Sequence, residues 1–483
     1  MFDLRPVLFS VGWLVSVLAA AMCLPAVVDA AHGDADWLIF AASASVTLFI
    51  GQILAAANRL GRPLTLSVRQ IFLLAAGGWL AVSAAAALPF AFSAQHLSAT
   101  DAFFEAVAGV TATGASVLRG LDHAPPGLLL WRALLQWLGG MGVLVMGVLV
   151  LPTLNIGGMQ IFRLETAQFV DRAMPRPAKV MVRVLALYLA MTALLTLLLW
   201  AAGMSRFPAL LHAMSTISCG GFSTSDGSIG HWRSPAVDWV VLLGMVLGGA
   251  PFILYLQTAQ RRWRAALRNT QLQWYIVTML VSAVLIGFWL YAEKDVKPLP
   301  ALRHGLFTAV SVMTGTGFAT LDWGRWTGFP MAILFFLSFI GGCAGSTSGG
   351  VKLFRLQILY ATARAQMVRL LMPNAVLLPQ YERRPIPDAV AESVLGFLFV
   401  YSLSFALLAM ALGMVGLDFV SSISAAAGAL ANLGPGFGPA VGPLSGFGGL
   451  PDGAKWLLAA GMLLGRLEIF VVLALFYRGF WRP

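Results

Sequence analysis

Short uncharged stretches rich in glycine and threonine interrupt this otherwise apolar chain, and they are its strongest candidates for chemistry. The stretch "SVMTGTGFAT" at 311–320 has two glycines and three threonines but no charged residue. Its main polar groups are therefore backbone carbonyls and hydroxyls. Glycine can adopt positive φ, which lets neighbouring carbonyls turn to one side. Oxygens presented in this way can replace the water shell of a cation. The stretch therefore predicts an ion-binding loop.

The same pattern occurs four times along the chain. Aligned without gaps, the segments are "FEAVAGVTATGA" (104–115), "LHAMSTISCGGF" (211–222), "FTAVSVMTGTGF" (307–318) and "SAAAGALANLGP" (424–435). Their spacing is far longer than a solenoid period, so it indicates duplicated modules rather than stacked repeats. One glycine falls at the same register in every segment: Gly114, Gly221, Gly317 and Gly434.

The elements that must position these loops are membrane-spanning helices. Of the 483 residues, 59% are hydrophobic and 11% are charged, whereas soluble proteins carry about 25% charged residues. Apolar runs of about 20 residues, enough to cross the hydrocarbon as helices, recur throughout. The first run is longer than the core of a secretory signal, so it predicts a retained helix. The ten predicted spans are 7–30, 37–58, 70–94, 128–151, 181–204, 237–257, 274–292, 330–360, 390–414 and 453–477.

Each repeat places a short apolar segment between two long spans. A dozen helical residues reach only about halfway through the hydrocarbon, so the segment predicts a half-helix that enters and returns on one face. Asp101 and Asp418 are the predicted N-caps, while Pro208 and Pro300 suit helix starts. Non-helical backbone at this depth must be buried or line a cavity. Four such loops therefore indicate one central pore, towards which the half-helices direct their negative C-terminal ends.

The net charge of +11 reflects membrane topology rather than nucleic-acid binding. With the N-terminus inside, most lysines and arginines fall in cytoplasmic loops and tails, so both termini are predicted to be cytoplasmic. The cysteines Cys23, Cys219 and Cys343 are too scattered for a disulfide framework or a zinc site. The histidines show no metal-ligand spacing. Without converging nucleophile, base or metal ligands, the sequence predicts neither an enzyme nor a bound cofactor.

A second glycine-rich stretch, "GGCAGSTSGG" at 341–350, lies within the eighth predicted span. Five of its ten residues are glycine, and each costs a helix roughly 1 kcal/mol relative to alanine. A close-packed helix interface is the alternative interpretation, while a phosphate-binding loop would need a GK[ST] ending. We predict a flexible flap in the permeation path below the ion-binding loops. Its gate residues are Gly341, Gly342, Gly345, Ser346, Thr347, Ser348, Gly349 and Gly350.

Arg466, in the last predicted span, completes the predicted gate. An uncompensated charge at this depth is costly, so Arg466 should face a cavity or a partner rather than snorkel. Glu468 is two residues further along a helix and is a poor partner for it. Glu105, in the first half-helix, is expected to make buried hydrogen bonds. Four external acids are expected to be solvated loop residues, with a cation-attracting vestibule as the alternative: Asp122, Asp226, Asp322 and Asp452.

Over essentially its whole length, the chain resembles the TrkH/KtrB/HKT superfamily of potassium transporters, and most of all its bacterial TrkH branch. Any one glycine motif is weak evidence, but four in register, each after a half-helix, are specific. The motifs that carry the resemblance are "TATGA" (111–115), "SCGGFST" (218–224), "TGTGFAT" (314–320), "GGCAGSTSGG" (341–350), "NLGPGFG" (432–438) and "GRLEIF" (465–470).

The resemblance implies an all-α polytopic membrane protein. Four pseudo-symmetric helix–pore-loop–helix modules surround one pore, and two extra helices precede them. The implied units are two N-terminal helices (1–60), pore module 1 (61–155), pore module 2 (156–260), pore module 3 with the intramembrane gating loop (261–365) and pore module 4 (366–483).

The resemblance also implies a selectivity filter built from the four loops. Related plant transporters that select sodium carry serine where this chain has Gly114, so potassium is the implied ion. The second loop departs from the others by having Cys219 and Gly220. The implied filter residues are Thr111, Ala112, Thr113, Gly114, Ser218, Cys219, Gly220, Gly221, Thr314, Gly315, Thr316, Gly317, Asn432, Leu433 and Gly434.

These interpretations lead to potassium uptake across a bacterial cytoplasmic (inner) membrane through a channel-like pore. Coupled K⁺/H⁺ or K⁺/Na⁺ symport is the alternative, and the scarcity of intramembrane carboxylates weighs against it. The resemblance further implies a homodimer that docks a cytosolic ring of TrkA-type nucleotide-binding subunits. Residues 352–389 and 261–268 are candidate docking surfaces, although basic stretches of this kind also rest on anionic lipid headgroups.

Overall fold

The structure is a computed structural model of the chain. The predicted docking stretch 261–268 lies mostly outside the residues that it describes, and the predicted boundary between modules 1 and 2 lies wholly outside them. The described residues are 3–59, 61, 66–147, 157–159, 177–259, 264, 267–374, 377–382, 384–438 and 440–481.

Two long N-terminal helices, α1 (Arg5–His32) and α2 (Trp37–Ala57), form an antiparallel pair. Small residues let their backbones approach closely, since a Cβ added to Gly12 would lie 2.7 Å from the Gly51 carbonyl oxygen. Such glycine contacts are typical of membrane helix pairs. The buried Asp29 of α1 accepts a hydrogen bond from the backbone N–H of Gly127 (2.5 Å). This bond attaches the helix pair to the first module.

Four modules follow, each with a long helix, a half-helix, a glycine loop and a second helix. A two-residue antiparallel pair, β1 (Gln380–Tyr381) and β2 (Arg384–Pro385), lies between the helices Leu353–Leu371 and Asp388–Met414. The helices are α3 (Val68–Phe92), α4 (Ala99–Val110) and α5 (Pro126–Val145) in module 1; α6 (Pro177–Ala201), α7 (Arg206–Ile217), α8 (Pro235–Gly249) and α9 (Phe252–Ala259) in module 2; α10 (Thr270–Lys294), α11 (Pro298–Thr314), α12 (Phe329–Ile340) and α13 (Leu353–Leu371) in module 3; α14 (Asp388–Met414), α15 (Phe419–Ala431), α16 (Asp452–Arg466) and α17 (Phe470–Phe476) in module 4.

Three of the ten predicted spans are broken rather than continuous. Within the described ranges, seven helices are long and apolar enough to cross a membrane, and nine spans result if two bent pairs count as one each. The pair α8 and α9 bends by 96°, and α16 and α17 by 111°. The span predicted at 330–360 stops at Ile340 and resumes at Leu353. The glycines between these residues disfavour a helix.

The half-helices α4, α7, α11 and α15 form the buried centre of the fold, whereas the outer helices expose large apolar side chains. Phe288 of α10 and Phe399 of α14 are 68% and 69% exposed, as expected for surfaces that face lipid. Asp418 caps α15 as predicted, by accepting a hydrogen bond from Ser421 N (3.1 Å). The prediction for Asp101 is wrong. Ser98 caps α4 instead, and Asp101 lies in the first helical turn, where a negative charge is also favourable.

Candidate functional site

The glycine loops directly follow the half-helices, and nearly all their residues are buried. Each loop begins where helical hydrogen bonding stops, so the last carbonyls of each half-helix lie beside it. We call them loop 1 (111–114), loop 2 (218–221), loop 3 (314–317) and loop 4 (432–434).

One feature of the backbone conformation repeats in all four loops, and a second repeats in three of them. Two residues before the register glycine, φ is positive in every loop: +51° at Ala112, +53° at Cys219, +77° at Gly315 and +55° at Asn432. The register glycine itself has a φ of +84°, +78° and +80° in loops 1, 2 and 3. Positive φ at alternate residues lets successive carbonyls face the same side. The sequence repeat could not reveal this second position, because glycine occupies it only in loop 3.

Loops 1, 2 and 3 touch in succession. A Cβ atom added to Gly114 would overlap the carbonyl oxygen of Gly220 in loop 2. A Cβ added to Gly221 would likewise overlap the carbonyl oxygen of Thr316 in loop 3. These contacts involve backbone atoms, which cannot rotate away as a flexible side chain can. Each glycine is therefore required by a close approach to the next loop.

Loop 4 completes the ring. A Cβ on Gly317 would lie 2.5 Å from Pro435 Cδ, immediately after loop 4. A Cβ on Gly434 would lie 2.5 Å from the carbonyl carbon of Gly114 in loop 1. The Asn432 amide also crosses this junction, donating a hydrogen bond to Thr113 Oγ1 (3.0 Å). The four loops thus contact one another in cyclic order, as four modules around one pore require.

Loop 2 is held differently from loops 1 and 3, in which paired threonine hydroxyls lie 2.7 Å apart. The buried Gln136 of α5 donates from Nε2 to the Gly220 carbonyl (2.6 Å) and accepts from Phe222 N (3.0 Å). Ser218 Oγ donates to the Met214 carbonyl (2.9 Å). No sequence motif pointed to Gln136, because this part of α5 lies outside the glycine motifs.

The predicted flap lies against the inner ends of the half-helices of modules 2 and 3. Thr347 Oγ1 is within hydrogen-bond distance of the Ile217 carbonyl (2.9 Å) and the Gly248 carbonyl (3.1 Å). Ser348 Oγ donates to the carbonyl of Thr314, the last residue of α11. The Ile217 and Thr314 carbonyls lie at the negative ends of half-helix dipoles, whereas Gly248 belongs to the long helix α8. The flap therefore occupies the region directly below the ring.

The glycines of the flap serve both conformation and close packing. Gly341, Gly345 and Gly350 have a φ of +70°, +72° and +80°. A Cβ on Gly349 would overlap the carbonyl oxygen of Ala431, so the flap also touches module 4. Within the flap, Ser346 Oγ donates to the Cys343 carbonyl, and Ser348 Oγ accepts from Gly342 N. The stretch is a loop under three modules rather than a helix interface.

Arg466 reaches the same region from the opposite side. It is 7% exposed, and its Nε and Nη2 have no hydrogen-bond partner among the described residues. Cys219 and Tyr188 of module 2 lie within electrostatic range of the guanidinium. Modules 2 and 4 lie opposite each other in the cyclic order, so Arg466 lies on the side of module 4 that faces module 2. Thr347 of the flap lies 3.2 Å from Cys219 Sγ, so the flap and Arg466 share Cys219 as a neighbour.

Glu468 lies in the bend between α16, which ends at Arg466, and α17, and it does not pair with Arg466. Its two carboxylate oxygens accept from Lys352 Nζ (3.1 Å) and Arg355 Nη2 (2.6 Å). Lys352 and Arg355 follow the flap directly and are 7% and 0% exposed. The prediction that the whole of 352–389 is a docking surface is therefore wrong for these two residues. The cluster instead joins the end of the flap to the bend in module 4.

Replacing Glu468 with glutamine is expected to destabilise the protein by about 3–5 kcal/mol, since two buried cations then lack a counter-charge. The measurement is thermal unfolding of the purified chain in detergent. Glu392→Gln, which removes an exposed carboxylate from α14, is the matched control. Equal unfolding temperatures for the two variants would contradict the ion-pair assignment.

The external acids are engaged rather than free. Asp226 accepts hydrogen bonds from Gly120 N (2.8 Å) and Leu121 N (3.2 Å), so it braces module 1 against module 2. It lines a cavity of about 450 Å³ outside the ring, but Arg119 and Arg325 line the same cavity. These arginines oppose the alternative of a cation-attracting acidic vestibule. The other acids each lie near a basic side chain: Asp122 near His231 (3.8 Å), Asp322 near Arg325 (2.8 Å) and Asp452 near Lys455 (3.8 Å).

Membrane-spanning helices around a closed ring of four buried loops are the architecture of a membrane transport protein rather than of an enzyme. The model of the TrkH family, described as a cation transport protein, matches residues 39–479. The chain belongs to the TrkH family.

Relatives match nearly the full chain. The Trk system potassium uptake protein TrkI of Halomonas elongata is 38% identical over 474 residues, which are 98% of this chain and 96% of that protein. The Trk system potassium uptake protein TrkH of Salmonella typhimurium is 37% identical over 479 residues, which are 98% of this chain and 98% of that protein. The crystal structure of the potassium transporter TrkH from Vibrio parahaemolyticus superposes with a TM-score of 0.91 at 34% identity, covering 100% of both chains.

Proposed function

We propose that this chain takes up potassium across the bacterial inner membrane, with loops 1 to 4 as a filter whose backbone carbonyls replace the ion's water shell. The observation that carries the proposal is the cyclic contact of four loops that share a positive φ two residues before the register glycine. The half-helices end at these loops, so their dipoles favour a cation there. Relatives named as potassium uptake proteins support potassium as the ion.

The flap and Arg466 form the gate in this proposal. Hydroxyls of the flap bond to half-helix carbonyls, and an unpartnered guanidinium lies beside them. In this arrangement a cation leaving the filter meets both a steric block and a like charge. Opening requires the flap to leave these carbonyls and the guanidinium to move aside.

Channel-like conduction fits the arrangement better than coupled symport. Proton coupling needs a carboxylate that can gain and lose a proton during transport. Glu105 is paired with Arg132 (2.8 Å), and Glu468 is paired with Lys352 and Arg355. Both carboxylates are therefore neutralised by fixed partners, and neither is available as a carrier.

We further propose that both termini are cytoplasmic, that the chain forms a homodimer and that a cytosolic TrkA-type ring docks on it. The far half of α13 supports a docking surface, because Arg364 and Arg369 are exposed beside Leu370 and Leu371, which are 75% and 82% exposed. A surface of exposed cations and leucines suits an acidic partner with an apolar patch.

The proposed function is tested by reconstituting the full chain in liposomes and measuring potassium and sodium flux with and without a pH gradient. We expect passive flux that favours potassium and ignores the pH gradient. Flux that tracks the proton gradient would instead support symport. Equal potassium and sodium flux would contradict the filter.

Replacing Thr347 with valine is expected to raise potassium flux about fivefold. Valine keeps the shape of threonine but removes a hydroxyl that holds the flap to two carbonyls, and one such bond contributes about 1 kcal/mol. The measurement is potassium efflux from liposomes, with Thr362→Val on α13 as the control. Among the described residues, the Thr362 hydroxyl hydrogen-bonds only to the Ile358 carbonyl of its own helix. An unchanged flux in Thr347→Val would show that the flap does not limit conduction.

A further inference from the structure

Helix α5 carries two buried polar side chains one turn apart, Arg132 and Gln136, which are 2% and 0% exposed. Both face the junction between loops 1 and 2. Gln136 engages loop 2 directly, as described above. Arg132 makes contacts just outside both loops, so the two residues together form a polar bridge between modules 1 and 2.

Arg132 uses its planar fork to bind both modules at once. Its Nε donates to Glu105 Oε1 (2.8 Å) and its Nη2 to Ser116 Oγ (2.9 Å), both in module 1. Its Nη1 donates to the Ser223 carbonyl (2.9 Å) in module 2, and its Cζ lies 4.1 Å from the centre of the Phe222 ring. A guanidinium can satisfy these three directions simultaneously, whereas a lysine ammonium lacks the fixed fork.

Glu105 completes the bridge on the side of loop 1. Its Oε1 also accepts from Ser116 Oγ (2.9 Å), and its Oε2 accepts from Val117 N (2.8 Å). The backbone that leaves loop 1 is thereby tied to half-helix α4. A buried ion pair is weak evidence of stability, and fixing one specific arrangement is its best-attested use. Here the fixed quantity is the position of loop 1 relative to loop 2.

The equivalent positions that can be located in the other modules carry no arginine–glutamate pair. Arg132 lies seven residues before Gly139, which packs against the last turn of α4 at Val110. Gly248 and Gly465 pack in the same way against α7 and α15. Counting back seven residues from those glycines gives Val241 and Leu458, and the positions equivalent to Glu105 are His212, Thr308 and Ala425.

We propose that Arg132 is a positioning residue for ion selectivity, holding loops 1 and 2 at the separation that suits a dehydrated potassium ion. The inference rests on the proposed filter. It makes the fourfold pore mechanically unequal, because among the ion pairs of the described residues only this one also bonds the backbone beside two loops. The pair Arg303–Asp238 between modules 2 and 3 and the pair Lys455–Asp101 between modules 4 and 1 involve the other ends of the half-helices. Loss of the bridge lets loops 1 and 2 separate. The carbonyls then fit potassium less well, and the preference for potassium over sodium decreases.

The experiment compares the full-length protein with Arg132→Lys in liposomes and measures the ratio of potassium to sodium flux. Lysine keeps the positive charge for Glu105 but cannot bond Ser116 and the Ser223 carbonyl together. We expect the ratio to fall about tenfold, with potassium flux largely retained. As a second readout, potassium should raise the unfolding temperature more than sodium does, and this difference should shrink in the variant.

Ser116→Ala and Lys455→Met complete the design. Ser116→Ala removes one hydroxyl from the bridge without touching the ion pair, so the ratio should fall about threefold even if Arg132→Lys does not fold. Lys455 is 4% exposed and pairs with Asp101 between modules 4 and 1, away from the loops. Lys455→Met should therefore leave the ratio unchanged.

The outcomes separate the two proposals. A wild-type protein that does not discriminate potassium from sodium refutes the filter itself. A discriminating wild type with an unchanged ratio in the folded Arg132→Lys variant, or in Ser116→Ala, overturns the role of Arg132. A fall in Lys455→Met equal to that in Arg132→Lys also overturns it, since any lost ion pair would then have the same effect.

Discussion

Replacing Gly221 with alanine is expected to reduce potassium flux at least a hundredfold, or about 2.7 kcal/mol in barrier height. The added Cβ would overlap the carbonyl oxygen of Thr316 in the neighbouring loop. Relief requires loops 2 and 3 to separate, and this breaks the ring that the ion must cross. Flux is measured with the purified variant in liposomes, after gel filtration has shown that it is folded.

Gly120→Ala is the matched control for this variant. Gly120 has a φ of +70°, close to the +78° of Gly221, but a Cβ there would meet nothing within 4 Å. Both variants are therefore destabilised by about 1–2 kcal/mol, because each places an alanine in the left-handed region of φ. Only Gly221→Ala adds a collision with the next loop. Similar flux in the two variants would refute the close approach of loops 2 and 3.

The sequence predicted the modular fold well because the fold rests on length, apolarity and repetition. A dozen apolar residues cannot cross the hydrocarbon, so half-helices such as Ala99–Val110 were predictable from length alone. Glycine at one register predicted where the backbone turns, and the register glycines do lie at the contacts between loops. Local rules of this kind need no knowledge of which segments meet in space.

Long-range polar partners were not predictable for the opposite reason. Arg132, Gln136 and Arg355 engage atoms that are distant in the sequence, and no local pattern links each residue to its partner. Arg355 lies in the predicted docking stretch 352–389, whose basic residues are typical of a cytoplasmic surface, yet it is fully buried. The break after Arg466 was missed because the flanking residues are apolar enough for one continuous helix.

Replacing Arg466 with alanine is expected to raise potassium leak by at least tenfold. At an effective dielectric constant of about 20, two unit charges 4 Å apart repel by about 4 kcal/mol, so a guanidinium beside the pathway is a substantial barrier to a cation. Arg466 has unpartnered Nε and Nη2 atoms among the described residues, so little of its charge is neutralised locally. Leak is measured as potassium efflux from liposomes without any cytosolic partner.

Arg466→Lys and Arg478→Ala separate the charge from other effects of the substitution. Arg466→Lys keeps the positive charge and should retain most of the barrier. Arg478→Ala removes an exposed charge from the end of the same module and should leave the leak unchanged. A leak in Arg466→Ala no larger than in Arg478→Ala would show that the guanidinium lies away from the ion.

A gate made of both the flap and Arg466 also determines how Arg466→Ala and Thr347→Val combine. If the guanidinium and the flap close one passage in series, opening only one leaves the other as the barrier, so the double variant should conduct more than the product of the single effects. Residues that act independently would instead give additive free energies. The double-mutant cycle therefore distinguishes one gate with two parts from two unrelated structural features. Strict additivity would remove Arg466 from the gate while leaving the ring of loops intact.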